Sequence, residues 1–258
     1  MRMTSEELIQ RLEPWRGRCK RPAWKPITQD GEIALTASKF AGTPWLSLNE
    51  PWPVCPQCHT TMPLFLQLNL ASLPGALTST FGTGLLQLFY CTHCDDAWAH
   101  FAQSSLVRIV QPSGASASLV PPAGSFSAKT ITGWQAFDDF PNPQDHRQLG
   151  LDYTYDFGTP LRTIVTCPEL GLAVEVIDDD YLAESISSAS PGDKLAGWPQ
   201  WIQAAEYPAC PRCQQQMDLV FQLDSEDHLP FMFGDVGTGH ITQCSEHKEI
   251  VAFGWACS

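Results

Sequence analysis

Positive charge is scarce in this sequence, and half of it lies at one end. Residues 1–25 hold seven Lys and Arg against three acids, whereas residues 41–258 hold seven against 23. Phosphate affinity comes from clustered Lys and Arg that release counterions. Direct nucleic-acid binding by the acidic body is therefore not expected, and a basic protein surface is the natural partner. No apolar run approaches the ~18 residues that cross a bilayer, so no membrane partner is expected. The N-terminus lacks the apolar core of ~7–15 residues that marks a secretory leader.

Catalytic signatures are missing too. There is no G-x-S-x-G elbow and no H-E-x-x-H helix. Gly82-Thr83-Gly84 and Gly237-Thr238-Gly239 lack the Lys-Ser/Thr ending of a phosphate loop and the third glycine of a dinucleotide fingerprint. Both precede an apolar strand pattern, so both are predicted to be tight turns. With 21 Pro and 18 Gly in 258 residues, long helices are not expected to dominate.

What the chain does have occurs twice. Lys39, Gly42, Cys55-Pro56-Gln57-Cys58, Met62, Gln67-Leu68 and Gly82-Thr83-Gly84 recur as Lys194, Gly197, Cys210-Pro211-Arg212-Cys213, Met217, Gln222-Leu223 and Gly237-Thr238-Gly239. The offset between matched residues stays at about 155 and falls to about 153 for the last pair, Cys91-Thr92-His93-Cys94 against Cys244-Ser245-Glu246-His247. Because the side-chain period of a strand is two, a two-residue deletion keeps the ligands on the same face.

Each copy brings two ligand pairs. A C-x2-C turn sets two thiolates about one tetrahedral edge apart, and two such turns complete a four-coordinate zinc shell. Cys55, Cys58, Cys91 and Cys94 are the first predicted quartet; Cys210, Cys213, Cys244 and His247 are the second. Two structural zinc ions are the expected cofactors. Four protein ligands leave no position for water or substrate, so the metals imply no enzyme. Cys19, Cys167 and Cys257 fall outside the pattern, and an odd remainder beside zinc spacing argues for a reducing, cytoplasmic setting.

Along the chain, Thr4 and Glu7 form a capping box for a helix over residues 5–13 that Pro14 should end, with a basic extended arm from Arg16 to Pro22. Residues 32–53 read as irregular backbone. Leu64, Leu66, Leu68 and Leu70 alternate with Phe65, Gln67 and Asn69, which is strand periodicity, and Leu219, Phe221 and Leu223 repeat it. A strand is expected at 163–165 and a helix near 178–187. The acidic runs Asp95-Asp96, Asp138-Asp139 and Asp178-Asp179-Asp180 read as solvated surface. Of nine Trp, most are expected in the core, but Trp45 and Trp201 closely follow Pro44 and Pro199 and are the candidates for a partner-binding groove.

Lys194 to Trp201, Met217 to Leu223, Gly234 to Gly237 and Phe253 to Ser258 give the chain a family likeness. In the order of these motifs it resembles the YwqG family of bacterial proteins, a domain of unknown function, over most of residues 36–258. The doubled C-P-x-C, Met and Gln-Leu pattern is also similar to the eukaryotic programmed-cell-death-protein and Tsr-type group, which escorts a ribosomal protein. That resemblance implies binding or chaperoning, not catalysis.

The fold expected is β-rich α+β, internally duplicated, with two pseudo-symmetric halves that each carry a zinc knuckle and pack as one body. Residues 1–30 would be helix and basic arm, and 31–258 the duplicated domain, with repeats at about 36–110 and 191–258 and connecting structure at about 111–190. The expected function is non-enzymatic binding of a basic or incompletely folded client protein. An immunity protein that neutralises a bacterial toxin is the alternative, and an enzyme with a site away from the metals is the third.

Overall fold

The computed structural model describes residues 2–94, 98–117, 120–158, 162–177 and 181–258. The acidic runs at 95–96 and 178–180, and the first part of the helix expected near 178–187, lie outside the described residues. In chain order the first strands and helix are β1 (Arg2–Met3), α1 (Ser5–Cys19), β2 (Arg21–Asp30), β3 (Lys39–Phe40), β4 (Leu64–Asn69), β5 (Leu85–Tyr90) and β6 (Ser105–Val110). Then come β7 (Lys129–Asp139), α2 (Pro143–His146), β8 (Asp152–Asp156), β9 (Arg162–Cys167), β10 (Leu172–Ile177) and α3 (Leu182–Ile186). The last are β11 (Lys194–Ala196), β12 (Asp218–Asp224), β13 (Thr238–Gln243) and β14 (Val251–Ala256). The protein is mostly β. No helix among the described residues is long and apolar enough to cross a membrane.

Two compact units emerge: Met1–Ala23, Phe137–Pro191 and Gly197–Ala205 form one, and Trp24–Ala136, Gly192–Ala196 and Glu206–Ser258 the other. In the first unit the predicted capping box opens α1, with Glu7 N donating to Thr4 Oγ1 and Thr4 N to Glu7 Oε2. Pro14 does not end the helix, which runs on to Cys19, so the expected extended arm is helix followed by β2. An interior Pro costs about 3 kcal/mol. Leu8, Leu12, Trp15 and Cys19 lie on one face that spans it and are buried, and each large apolar side chain buried contributes about 1.5–3 kcal/mol. Burial outweighs the lost hydrogen bond. These side chains pack with Leu151, Val165, Val174, Leu182 and Ile186 against a four-stranded sheet of order β1-β10-β9-β8. Residues 137–191 are thus more than a connection, for they share this core with α1.

The second unit is built on a ten-stranded sheet of order β14-β13-β12-β11-β2-β7-β3-β4-β5-β6. Its terminal strands β14 and β6 meet, so the sheet is a nearly closed barrel. Rings fill the inner face: Phe65, Tyr90, Phe231, Phe233 and Phe253 lie 5.0–6.1 Å apart by neighbouring centroids, mostly edge to face.

The strands form where the apolar periodicity predicts, with one correction. Leu64 pairs with Phe89 and Leu66 with Leu88, so Phe65 is the extra residue of a bulge. A bulge sets two residues against one and reverses the alternation beyond it. Leu66 and Leu68 therefore join the inner cluster, whereas Leu64 belongs to a separate apolar cluster with Met62 and Phe89. The register of β12 shifts in the same way between Leu219 and Phe221.

Both short strands that open these segments end alike. Ala41 and Gly42 after β3, and Ala196 as the last residue of β11 with Gly197 after it, all have positive φ. At Gly42 an added Cβ would lie 2.6 Å from Ala128 Cβ, so the chain needs glycine there for space as well as for conformation. Gly82 and Gly84 also have positive φ, and Gly84 leads directly into β5 as the tight-turn reading requires; the second copy corrects that reading, because Thr238 and Gly239 already pair within β13 and the turn lies upstream at residues 234–236.

Candidate metal centres

Each quartet is assembled by one turn and one strand end. In Cys55-Pro56-Gln57-Cys58, His59 takes a left-handed φ of 58° and donates its N–H to Cys55 O at 2.9 Å. Cys55 N then donates to Thr60 O and Met62 N to Pro53 O, with an isolated bridge between Val54 and Thr61. The second turn repeats these bonds: Gln214, at φ 62°, donates to Cys210 O, Cys210 N to Gln215 O and Met217 N to Pro208 O, with a bridge between Ala209 and Gln216. The backbone closes so tightly that both sulfurs of each turn are held on one side.

The other ligands come from the ends of β5 and β13. Cys91 follows Tyr90 and donates its N–H to Ser104 O, and Cys244 follows Gln243 and donates to Ile250 O. All eight predicted ligands are brought together, four and four, with the ligand atoms of each set within 4.8 Å of one another. Sγ–Sγ distances are 3.7 Å for Cys55 and Cys94, 3.5 Å for Cys58 and Cys91, and 3.6 Å for Cys213 and Cys244. His247 Nδ1 lies 3.8 Å from Cys210 Sγ and 3.7 Å from Cys244 Sγ.

Bond lengths decide what such clusters can hold. A tetrahedron with Zn–S of ~2.3 Å has edges of about 3.8 Å, and a mixed sulfur–nitrogen edge is about 3.6 Å. The observed spacing fits both, and is far from the ~2.05 Å of a disulfide. All ten cysteines are free. The chemistry agrees, because hydrogen bonds from Thr60 pull the Cys58 thiol down to about 6, whereas burial and the neighbouring thiols push Cys94 up. One thiolate forms readily, and Cys91 and Cys94 need a cation to compensate their charge. Both quartets could hold zinc.

The two tryptophans expected in a partner groove are interior residues. Trp45 and Trp201 are each only 5% exposed. Trp45 N donates to Gln67 Oε1 and its carbonyl accepts from Gln87 Nε2, while Trp201 Nε1 donates to Asp145 Oδ2 at 3.1 Å. Buried rings with satisfied polar groups serve packing, so neither offers contact area to a partner.

Sequence reading missed a buried polar chain across β3, β4, β5 and β6. Lys39, fully buried, pairs with Glu32 and donates to Leu35 O at 3.2 Å. Its cross-strand neighbour Gln67 donates to Leu35 O and Ala37 O and accepts from Gln87 Nε2, and Gln87 Oε1 accepts from Arg108 Nε. Arg108 closes the chain on Glu50. A signal was there, since Lys39 with Gln67 and Lys194 with Gln222 keep one offset inside apolar strands and pair in the same register. Also unforeseen is a cluster in which His228 Nδ1 lies 2.8 Å from Asp193 Oδ2 and 3.3 Å from Asp227 Oδ1, its ring stacked on Phe40 at 4.8 Å.

Fold and site together define a mostly β protein whose barrel-like unit carries two four-ligand, thiol-rich clusters. Residues 38–246 match the family described as Domain of unknown function (DUF1963), and the chain belongs to that family. No significant match was found among curated proteins.

Proposed function

We propose that the protein is a zinc-stabilised, non-enzymatic binding module of the cytoplasm that escorts a basic or incompletely folded client protein. The observation that carries this reading is the pair of four-ligand clusters with tetrahedral spacing. A shell filled by four protein ligands stiffens a fold and has no open position for Lewis-acid chemistry. Supporting it is the excess of 23 acids over seven bases beyond residue 40, a field that attracts a cationic partner. Ten free thiols accord with a reducing compartment.

We further propose that the β3–β6 and β11–β14 segments descend from one duplicated unit. The constant offset supports this, as do the matched bulges, the paired left-handed Ala-Gly steps and the identical bonding of the two knuckle turns. The motif order quoted above resembles that of YwqG-like proteins, and the doubled pattern that of the ribosomal-protein escorts; on that likeness we propose that the client is an unassembled basic protein. Affinity purification of the tagged chain from its native cells, with identification of co-purifying proteins, tests the reading. A stoichiometric basic partner whose association slows as salt rises is the expected result; an acidic partner, or association insensitive to salt, would overturn it.

A further inference from the structure

A cavity of about 320 Å³ opens beside the first quartet, at the lower end of the ~300–1,000 Å³ typical of ligand sites. Cys91, Thr92 and Cys94 form one wall, and Tyr90, Phe231, Gly234 and Trp255 line the rest. Tyr90 and Cys91 are almost fully buried. What enters therefore meets Thr92, Cys94, Phe231, Gly234 and Trp255, each exposed or partly exposed.

These walls are set before anything binds. Trp255 Nε1 donates to the Tyr90 hydroxyl at 2.8 Å, and Tyr90 meets Phe231 edge to face with centroids 5.6 Å apart. A Cβ on Gly234 would lie 2.7 Å from Cys257 Sγ and 2.8 Å from Trp255 Cζ3, so any larger residue there would push the indole aside. A surface fixed in this way loses little entropy when it is filled.

Charge decides what suits it. Among the described residues the lining holds no Lys, Arg or His and no Asp or Glu, so its field comes from the quartet and the rings. With zinc bound as proposed, four thiolates exceed the charge of the ion by two, and the partly exposed Cys94 sulfur offers an anionic acceptor at the cavity wall. Aromatic faces attract the same sign of ligand. An anion would be repelled, and an apolar group would leave the sulfur without a donor. A quaternary ammonium has no N–H to give it. A guanidinium has five N–H donors in a plane, stacks on aromatic rings and is weakly hydrated, so it enters a half-apolar space at a lower desolvation cost than an ammonium.

The second quartet has no counterpart. His247 replaces one thiolate there, which leaves one excess charge instead of two. Gln243 stands where the first segment has Tyr90, and its amide is committed to the carbonyls of Phe81 and Lys248.

We propose that this cavity receives an arginine side chain of the client, its guanidinium donating to Cys94 Sγ and held among the Phe231 and Trp255 rings; this names a site for the protein-binding reading and rests on it. The test is NMR on the full chain purified under reducing conditions, titrated with acetyl-arginine-amide and with its neutral isostere acetyl-citrulline-amide. A saturable shift of the Trp255 indole N–H is expected with the arginine compound, at least about tenfold weaker with citrulline and in Thr92→Lys, which sets a competing cation at the mouth. Thr92 is exposed, and unchanged zinc content and melting temperature would verify that its variant is intact. Phe231→Leu, which removes a ring and keeps the apolar bulk, should weaken binding about threefold. No saturable shift up to about 10 mM, citrulline binding as tightly as arginine, or wild-type affinity in both variants would overturn the proposal.

Suppression of aggregation of reduced lysozyme, an unfolded basic protein, separates the two claims. Suppression by the wild type and not by Thr92→Lys supports both. Equal suppression by both chains removes the cavity as the client site and keeps the client reading. Binding of acetyl-arginine-amide with no suppression by either chain removes the client reading and keeps the cavity as a guanidinium site.

Discussion

The two quartets share a backbone and differ in their surroundings. The first packs with Leu46, Met62, Leu64, Phe89 and Ala117, with Trp52 and Leu106 against that cluster. The second has Met217, Ala252 and Ile250 for apolar company. Its rim is polar, with Arg212 paired to Glu249 and Gln215 donating to Glu246. Ligand geometry is therefore set by the local turn and strand end, which the segments have in common, while side chains a few residues away are free to diverge. With zinc bound as proposed, apolar burial and metal would share the stabilising role near the first quartet, and the metal would carry more of it near the second.

The largest expected effect tests that inequality. Cys91→Ser and Cys244→Ser each remove one buried ligand, and a structural zinc is worth on the order of 10–16 kcal/mol in isolated finger peptides, of which a body with its own core forfeits a part. Both should lower the melting temperature by about 10 °C or more, and Cys244→Ser should lower it further. Equal losses, or a larger loss at Cys91, would break the comparison.

Next in size is the buried chain of the first segment. Lys39→Met leaves Glu32 without its partner, and breaking a buried pair costs about 3–5 kcal/mol when the survivor stays dry. Glu32 is 30% exposed and can be rehydrated, so a cost of about 2–3 kcal/mol in urea denaturation is expected. A loss below about 0.5 kcal/mol, the range of ordinary surface changes, would show that the chain contributes no more than exposed polarity.

A smaller effect separates the segments by pH. His228 belongs to the second; burial opposes its charge, but the hydrogen bond and charge of Asp193 and the charge of Asp227 outweigh that and Lys129, so its pKa is raised. Burial pushes Asp193 up to about 6. The folded state then holds more protons than the unfolded one, so this contribution is full below the unfolded histidine value of ~6.5 and is lost as pH rises through the folded one. Urea midpoints should fall between about pH 6.5 and pH 8, and His228→Gln should flatten the slope. An unchanged slope in the variant would remove the cluster from the pH response.

The smallest effect is expected at the rim of the second quartet. Arg212 and Glu249 are both more than half exposed, and exposed pairs contribute less than about 1 kcal/mol. Arg212→Ala should melt within about 2 °C of wild type. A larger drop would mean that the polar rim, not the metal, holds the second turn.

Much of this was legible in the sequence because it is local. Ligand spacing and strand periodicity act within a few residues, and the quartets and strands lie where those rules put them. What was illegible depends on distant packing. Nothing near Pro14 announces that Trp15 will be buried, and burial is what carries α1 to Cys19. The alternation at Leu64 reads as regular because a bulge is a property of pairing with β5. Trp45 and Trp201 beside prolines look like surface aromatics until Gln67, Gln87 and Asp145 bind them inside. Lys39 stands in the sequence as the match of Lys194, but that Glu32 and the carbonyl of Leu35 surround it is settled only by packing.

The most direct test of the central claim is the metal content of the chain purified under reducing conditions, measured by native mass spectrometry alongside elemental analysis. Two zinc ions per chain are predicted, falling to one in Cys91→Ser and to one in Cys244→Ser, with the other quartet still loaded. A folded chain that carries no zinc, or that holds Cys55, Cys58, Cys91 and Cys94 as disulfides, would contradict it.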